Sequence, residues 1–282
     1  MRTGTAWHTL LGDYPTTHAL RSGVVTSSRV SLAFADVPVP NKAFKRVVRE
    51  VEFDVAEIAL MTYLVARSRE LSMRLLPVAT FSRNPLPHLV CDAGRPVAPQ
   101  SLADARIGVR AYTTTTAVWI RALLTDLYGV SFAQTSWITI EEGHVAGVPD
   151  PPTVRRDPGA HLTAMLRDGQ LDAIIIDPVP QEPWCVPVVV DAAAAYRRWQ
   201  GTHHADTVNH VVAVRQSIAD DTVACGELLR MFRESHALGG TAAAACAPAP
   251  GGAVHRCNVD VAIAAAASEG LLARELTLGD VF

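Results

Sequence analysis

The stretch His161–Asp177, HLTAMLRDGQLDAIIID, decides the fold class. Its first half places Leu162, Met165 and Leu166 on one helical face, and Asp168-Gly169 punctuates it. Leu171–Ile176, apolar but for Asp172, then reads as a strand buried on both faces. Helix, turn and buried strand make one unit of an α/β layer, and the same alternation extends in both directions. Upstream, Val30–Phe34 reads as a strand and Lys42–Val51 as a helix with Phe44, Val47, Val48 and Val51 on one side. Glu57–Ser68 again has helical spacing. Leu75–Phe81 is an apolar segment ended by Ser82-Arg83-Asn84-Pro85. Ala105–Val109 reads as a strand, and Ala117–Tyr128 as a helix opened by Thr113–Thr116 and stopped by Gly129. Downstream, His210–Arg215 is a strand, Ile218–Ser235 a long helix and Val259–Leu272 an Ala-rich helix, with Gly239–Gly252 a low-complexity loop between them. Strands alternating with helices predict α/β layers with mostly parallel sheets.

The composition bounds what such a fold does. The chain has 282 residues, 49% hydrophobic and 19% charged, with 25 Lys+Arg against 28 Asp+Glu, which excludes disordered, collagenous and disulfide-scaffold classes. No apolar run reaches the ~18 residues of a membrane span. A near-neutral charge balance without basic blocks excludes nucleic acid as the expected partner. Five widely spaced cysteines with no C-x-x-C fit reduced, structural thiols. Met1–Pro15 carries no secretory pattern, so a cytoplasmic location is expected. The oligomeric state is left open, a homo-oligomer included.

No G-x-G-x-x-G, P-loop, G-x-S-x-G or H-E-x-x-H occurs, so dinucleotide, nucleotide, hydrolase-elbow and zincin chemistry have no support. The positive signals each have a plain alternative. The Thr113–Thr116 helix start offers N–H groups, hydroxyls and the positive dipole end to a carboxylate, or is simple capping. Arg83 at a strand exit could grip a carboxylate in bidentate fashion, or be a surface residue. His210, opening an apolar strand, is a proton carrier or a satisfied core histidine. Glu57 is buried and functional, or a helix-terminus charge. Trp137 and Trp184 line a cleft or pack. His203-His204 point to opposite sides of a strand with no ligand beside them, so no metal is expected.

Taken in order, Gly12-Asp13-Tyr14, the run FDVAEIALMTY at 53–63, Leu76-Pro77-Val78, Tyr112 with Thr114-Thr115 and Ala117-Val118-Trp119, Leu166–Ala173, Asn209-His210-Val211-Val212 and the tail Leu276–Phe282 resemble the 4,5-dihydroxyphthalate decarboxylase family. The resemblance runs over nearly the whole chain. It implies a two-lobed type II periplasmic-binding-protein-like α/β fold with a ligand cleft, residues 1–90 and 211–282 forming one lobe and 91–210 the other. It also implies a carbon–carbon lyase that works without a cofactor on a small-molecule carboxylate. The family pattern carries candidate roles onto Glu57, Arg83, Tyr112, Thr114, Thr115, Trp137, His210 and Arg256. Read for a decarboxylase, His210 and Glu57 supply proton chemistry, with His88 a fallback acid. Arg83 and the Thr114–Thr115 helix start hold a carboxylate, and Tyr112, Trp137 and Arg256 are substrate-binding positions. The chain departs from the family where an aromatic-Arg-His run is replaced by Asn84-Pro85-Leu86-Pro87-His88, and where Pro15-Thr16-Thr17-His18 follows Asp13-Tyr14. Two guanidinium contacts are thereby lost, and a buried anion without its partner costs several kcal/mol. The expected substrate is therefore less anionic than 4,5-dihydroxyphthalate. A different reaction on the same fold, or plain small-molecule binding, is the alternative.

Overall fold

The computed structural model describes residues 6–247 and 254–282. The chain forms two compact units, one running up to Arg83 and resuming at Val208, the other spanning Asn84–Thr207.

In chain order the first unit begins with β1 (Trp7–Leu10), α1 (His18–Arg21), β2 (Leu32–Phe34), α2 (Phe44–Glu50), β3 (Val55–Ala59), α3 (Leu60–Arg67) and β4 (Met73–Ser82). The second unit contains β5 (Leu89–Asp92), β6 (Arg106–Val109), α4 (Thr115–Tyr128), β7 (Ser136–Thr139), β8 (Val154–Arg156), α5 (Leu162–Arg167), β9 (Ala173–Ile175), β10 (Cys185–Pro187) and α6 (Ala192–His203). The chain then returns to the first unit as β11 (Val208–Arg215), α7 (Gln216–Ala219), α8 (Thr222–Cys246), α9 (Arg256–Ser268) and α10 (Leu278–Val281).

Each unit wraps helices on a mixed sheet, β2-β1-β3-β11-β4 in the first and β10-β5-β9-β6-β7-β8 in the second. The sheets are less parallel than the alternation predicts. β11 runs antiparallel to both β3 and β4, and β5 runs antiparallel to β9 and β10. These are the strands by which the chain re-enters one unit and enters the other, so no crossover helix dictates their direction. They also move the expected lobe boundaries a few residues earlier. β11 pairs with β4 from Val208 onward, which puts His210 in the first unit, whereas Leu89–Asp92 pairs inside the second sheet.

The expected helix over Glu57–Ser68 starts later than its spacing suggests. Val55–Ala59 is a fully buried strand between β1 and β11, and the helix begins at Leu60. A strand covered on both faces shows no period of two, so a short apolar run cannot be told from a helical turn until its sheet partners exist. Glu57 therefore lies mid-strand, not at a helix start. The expected helix Ile218–Ser235 is split, because Asp221 caps α8 by accepting the Val223 and Ala224 N–H groups. α8 then continues to Cys246 through much of the expected Gly239–Gly252 loop, whose residues 248–252 lie outside the described residues.

The first core gathers Leu11, Val55, Leu76, Val212, Leu228 and Phe232, and the second Val90, Leu162, Leu166, Leu171 and Ile174. Among the described residues no helix is long and apolar enough to cross a membrane.

Candidate functional site

The site of the first unit is built at the carboxyl ends of β1 and β3, where ligand sites of α/β sheets form. After Leu10 the chain turns through Gly12. The Gly12 N–H donates to Glu57 Oε2 at 2.7 Å, and the Tyr14 hydroxyl donates to Glu57 Oε1 at 2.9 Å. A Cβ on Gly12 would stand 2.4 Å from the Tyr14 ring, so only glycine lets the phenol fold back over the turn. Thr17 holds this geometry, its hydroxyl donating to the Gly12 carbonyl at 2.6 Å and accepting from the Tyr14 N–H at 3.0 Å.

His210 completes the cluster from β11. It pairs with Ala59 and its neighbour Val212 pairs with Glu57, which sets His210 and Glu57 as diagonal neighbours on one face of the sheet. His210 Nδ1 lies 2.7 Å from Glu57 Oε1. The ring packs edge-on to Phe44 at 5.3 Å and tilted to Phe81 at 5.9 Å, beside register shifts in the β11–β4 ladder. Glu57 is completely buried and the His210 side chain is 22% exposed.

This arrangement has a definite proton logic. An ionised carboxylate only accepts, so its contact with His210 places a hydrogen on Nδ1 and leaves Nε2 for other work. No described residue hydrogen-bonds Nε2. Burial, and then the charge and hydrogen bond of Glu57, push the Tyr14 phenol far above its ordinary value, so it stays a donor at any working pH. Glu57 thus meets three donors on its two oxygens. Arg83 extends the cluster, its guanidinium 5.3 Å from the Phe81 ring centre, against which Tyr14 also stacks at 6.4 Å. Tyr14, Phe81 and Phe44 are site residues that spacing did not single out. The signal for Tyr14 was the Gly-Asp-Tyr turn after an apolar strand.

The remaining candidates belong to other elements. Arg256 is exposed at the first turn of α9. In the second unit, His88 Nδ1 lies 3.1 Å from the Ile176 carbonyl, an ordinary structural contact. Thr114 is the N-cap residue of α4 but makes no side-chain capping bond, and Thr115 is buried in its first turn. Tyr112 and Trp137 meet edge to face at 5.5 Å and are 7% and 1% exposed, so both pack as core. Between them lies a side chain not anticipated from sequence. Arg121, 2% exposed, sits 4.0 Å from the Tyr112 ring centre and 5.1 Å from that of Trp137, and donates to the Tyr112 carbonyl at 3.1 Å. In α4 it is a lone cation beside Ala117, Val118, Leu124 and Thr125, and only the fold shows that it points inward. Among the described residues no group of three or more His, Cys, Asp or Glu side chains could hold a metal ion.

No family model matches the chain. A 4,5-dihydroxyphthalate decarboxylase from Comamonas testosteroni is 24% identical over 255 residues, covering 81% of this chain and 74% of that one. A protein of the same name from Pseudomonas putida is 28% identical over 187 residues, covering 62% and 70%. Among solved structures, the periplasmic aliphatic sulphonate-binding protein of Escherichia coli superposes with a TM-score of 0.56 at 11% identity, covering 99% of this chain and 92% of that one. The fold is that of the periplasmic binding proteins.

Proposed function

We propose that this chain, a divergent member of the 4,5-dihydroxyphthalate decarboxylase family, is a decarboxylase of a small hydroxylated aromatic acid, with His210 as the proton carrier. The observation that carries the proposal is the buried Glu57 carboxylate 2.7 Å from His210 Nδ1. It fixes the imidazole ring, stabilises the imidazolium, and leaves Nε2 to deliver a proton.

The chemistry balances simply. The Nε2 proton adds to the ring carbon that bears the carboxylate, with electrons pushed from a ring hydroxyl. The carbon–carboxyl bond then breaks, CO2 leaves, and its bonding pair restores the aromatic ring. His210, left neutral, takes its next proton from solvent. Glu57 keeps the tautomer throughout, and Tyr14 and the Gly12 N–H hold Glu57 in place. Arg83 is the cation assigned to the substrate carboxylate, since a guanidinium pairs with it in bidentate fashion. Phe81 and the Tyr14 ring supply the apolar faces an aromatic ring prefers, with buried Phe44 packed against His210.

A substrate less anionic than 4,5-dihydroxyphthalate follows from the Asn84-Pro85-Leu86-Pro87-His88 departure. Among the described residues the guanidinium over the Phe81 ring is that of Arg83, and a second buried carboxylate needs a further cation.

The test is thermal-shift screening against hydroxylated benzoic, phthalic and heteroaromatic acids, followed by CO2 and product analysis of every stabiliser. A ligand at ~100 times its Kd adds about 2.7 kcal/mol. A mono-acid that stabilises and loses CO2 is the expected result. Stabilisation with no product from any acid would end the decarboxylase reading in favour of a binder.

A further inference from the structure

The turn that carries Tyr14 is held from behind by a helix that breaks as it passes. α8 runs from its Asp221 cap to Cys246 but breaks at Gly240, whose φ of 55° and ψ of −135° belong to a backbone region that residues with side chains avoid. One residue before the break, Gly239 lies against the Pro15 carbonyl. A Cβ there would stand 2.1 Å from that oxygen and 2.7 Å from the Ala243 Cβ. A clash with a backbone oxygen is not relieved by turning a side chain, so either the helix or the turn has to move. The other side of the turn is tied to the sheet, the Thr16 hydroxyl donating to the Thr80 carbonyl at 3.0 Å, next to Phe81. α1, which continues the turn, gives its Leu20 N–H to the Ser235 hydroxyl of α8 at 3.3 Å. The Gly12–Thr17 turn is therefore clamped between β4 and α8, and Pro15, the residue against the helix, directly follows Tyr14.

We infer that Gly239 is a positioning residue for the site: its missing side chain lets α8 seat Pro15 so that the Tyr14 hydroxyl reaches Glu57 beside His210. Ordinary C···O approach needs about 3.3 Å, so an added methyl displaces the turn by roughly 1 Å. A hydrogen bond of 2.9 Å does not survive that stretch. Loss of the bond leaves Glu57 with two donors and a less constrained orientation toward His210. The effect on turnover rests on the decarboxylase reading; the clamp itself does not.

The experiment uses the full chain labelled with 13Cζ-tyrosine, with Tyr14→Phe identifying the Tyr14 resonance. In Gly239→Ala the Tyr14 signal is expected to move toward that of solvent-exposed tyrosine, and the phenol to titrate at lower pH than in the wild type. On any acid that is turned over, kcat falls to the level of Tyr14→Phe with KM little changed. Adding Ala243→Gly removes the contact inside the helix but not the one with Pro15, and is expected to restore nothing. Leu238→Ala, exposed and adjacent, is expected to leave the signal in place. An unmoved Tyr14 signal in folded Gly239→Ala overturns the inference, as does full rescue by Ala243→Gly. Should Gly239→Ala not fold, Ser235→Ala, which removes the α8 hydroxyl that holds the Leu20 N–H, is read in its place, an unmoved Tyr14 signal overturning the clamp. Because the resonance is independent of turnover, a chain that decarboxylates nothing still decides the clamp.

Discussion

The two units each bury an ionic side chain, on opposite plans. In the first, the Glu57 anion takes three N–H and O–H donors on its two oxygens, and one of those donors is a histidine with part of its ring exposed. In the second, the Arg121 cation lies across the faces of Tyr112 and Trp137, all three closed to solvent. A carboxylate joined to an imidazole can pass a proton outward through the second ring nitrogen. A guanidinium stays charged in proteins, so one wrapped in aromatic rings passes no proton. Burial of charge is thus not by itself a mark of chemistry. What distinguishes the two clusters is whether the buried ion has a titratable partner with a way out.

His210→Ala would break this contrast most directly. It should lower turnover about 100-fold or more while leaving the fold intact, as loss of a general acid does. Wild-type turnover in that variant would remove the first cluster from the chemistry. Arg121→Ala should do the reverse. Truncating a packed side chain across two aromatic rings should cost on the order of 2 kcal/mol in urea unfolding, with turnover of the folded protein unchanged. A collapse of kcat at unchanged stability would make the second cluster functional too.

The smallest effect lies outside both clusters and calibrates them. The Thr277 hydroxyl and N–H, with Arg274, hold the Asp280 carboxyl down at about 2 in the cap of α10. A folded value below the unfolded one of about 3.9 means the cap contributes fully above roughly pH 4 and is lost as pH falls toward 2. Asp280→Asn should therefore flatten the acid side of the thermal midpoint measured from pH 5 to 2. An unchanged acid limb would show that the cap does not couple to global stability.

Much of the fold was legible in order of residues. Ala117–Tyr128 with Gly129 behind it is the helix α4 nearly as spaced, closed by Gly129 at φ 67°. Leu171–Ile176 contains the buried strand β9. Glu57 was misread as a helix start because five buried strand residues leave no period to detect. His210 and Glu57 were each legible as candidates, but their contact was not, since 153 residues separate them. Tyr14, named only within the Gly12-Asp13-Tyr14 motif, carried no role, and Arg121 went unmarked, for a related reason. The first matters only because a glycine lets its ring fold back, and the second only because α4 turns it toward rings from Tyr112 and β7.

Amino-acid order alone settles the α/β class, the lack of nucleotide, P-loop and zincin motifs, and the likeness to a decarboxylase family, because these follow from local periodicity and short motifs. Tertiary structure decides that β11 runs antiparallel through the first sheet and that Glu57 is an interior anion instead of a helix-end charge. It also decides that one turn glycine and one helix glycine together shape the hold on Tyr14. Those outcomes depend on which backbone lies beside which, and contacts across tens to hundreds of residues leave no trace in the spacing of their neighbours.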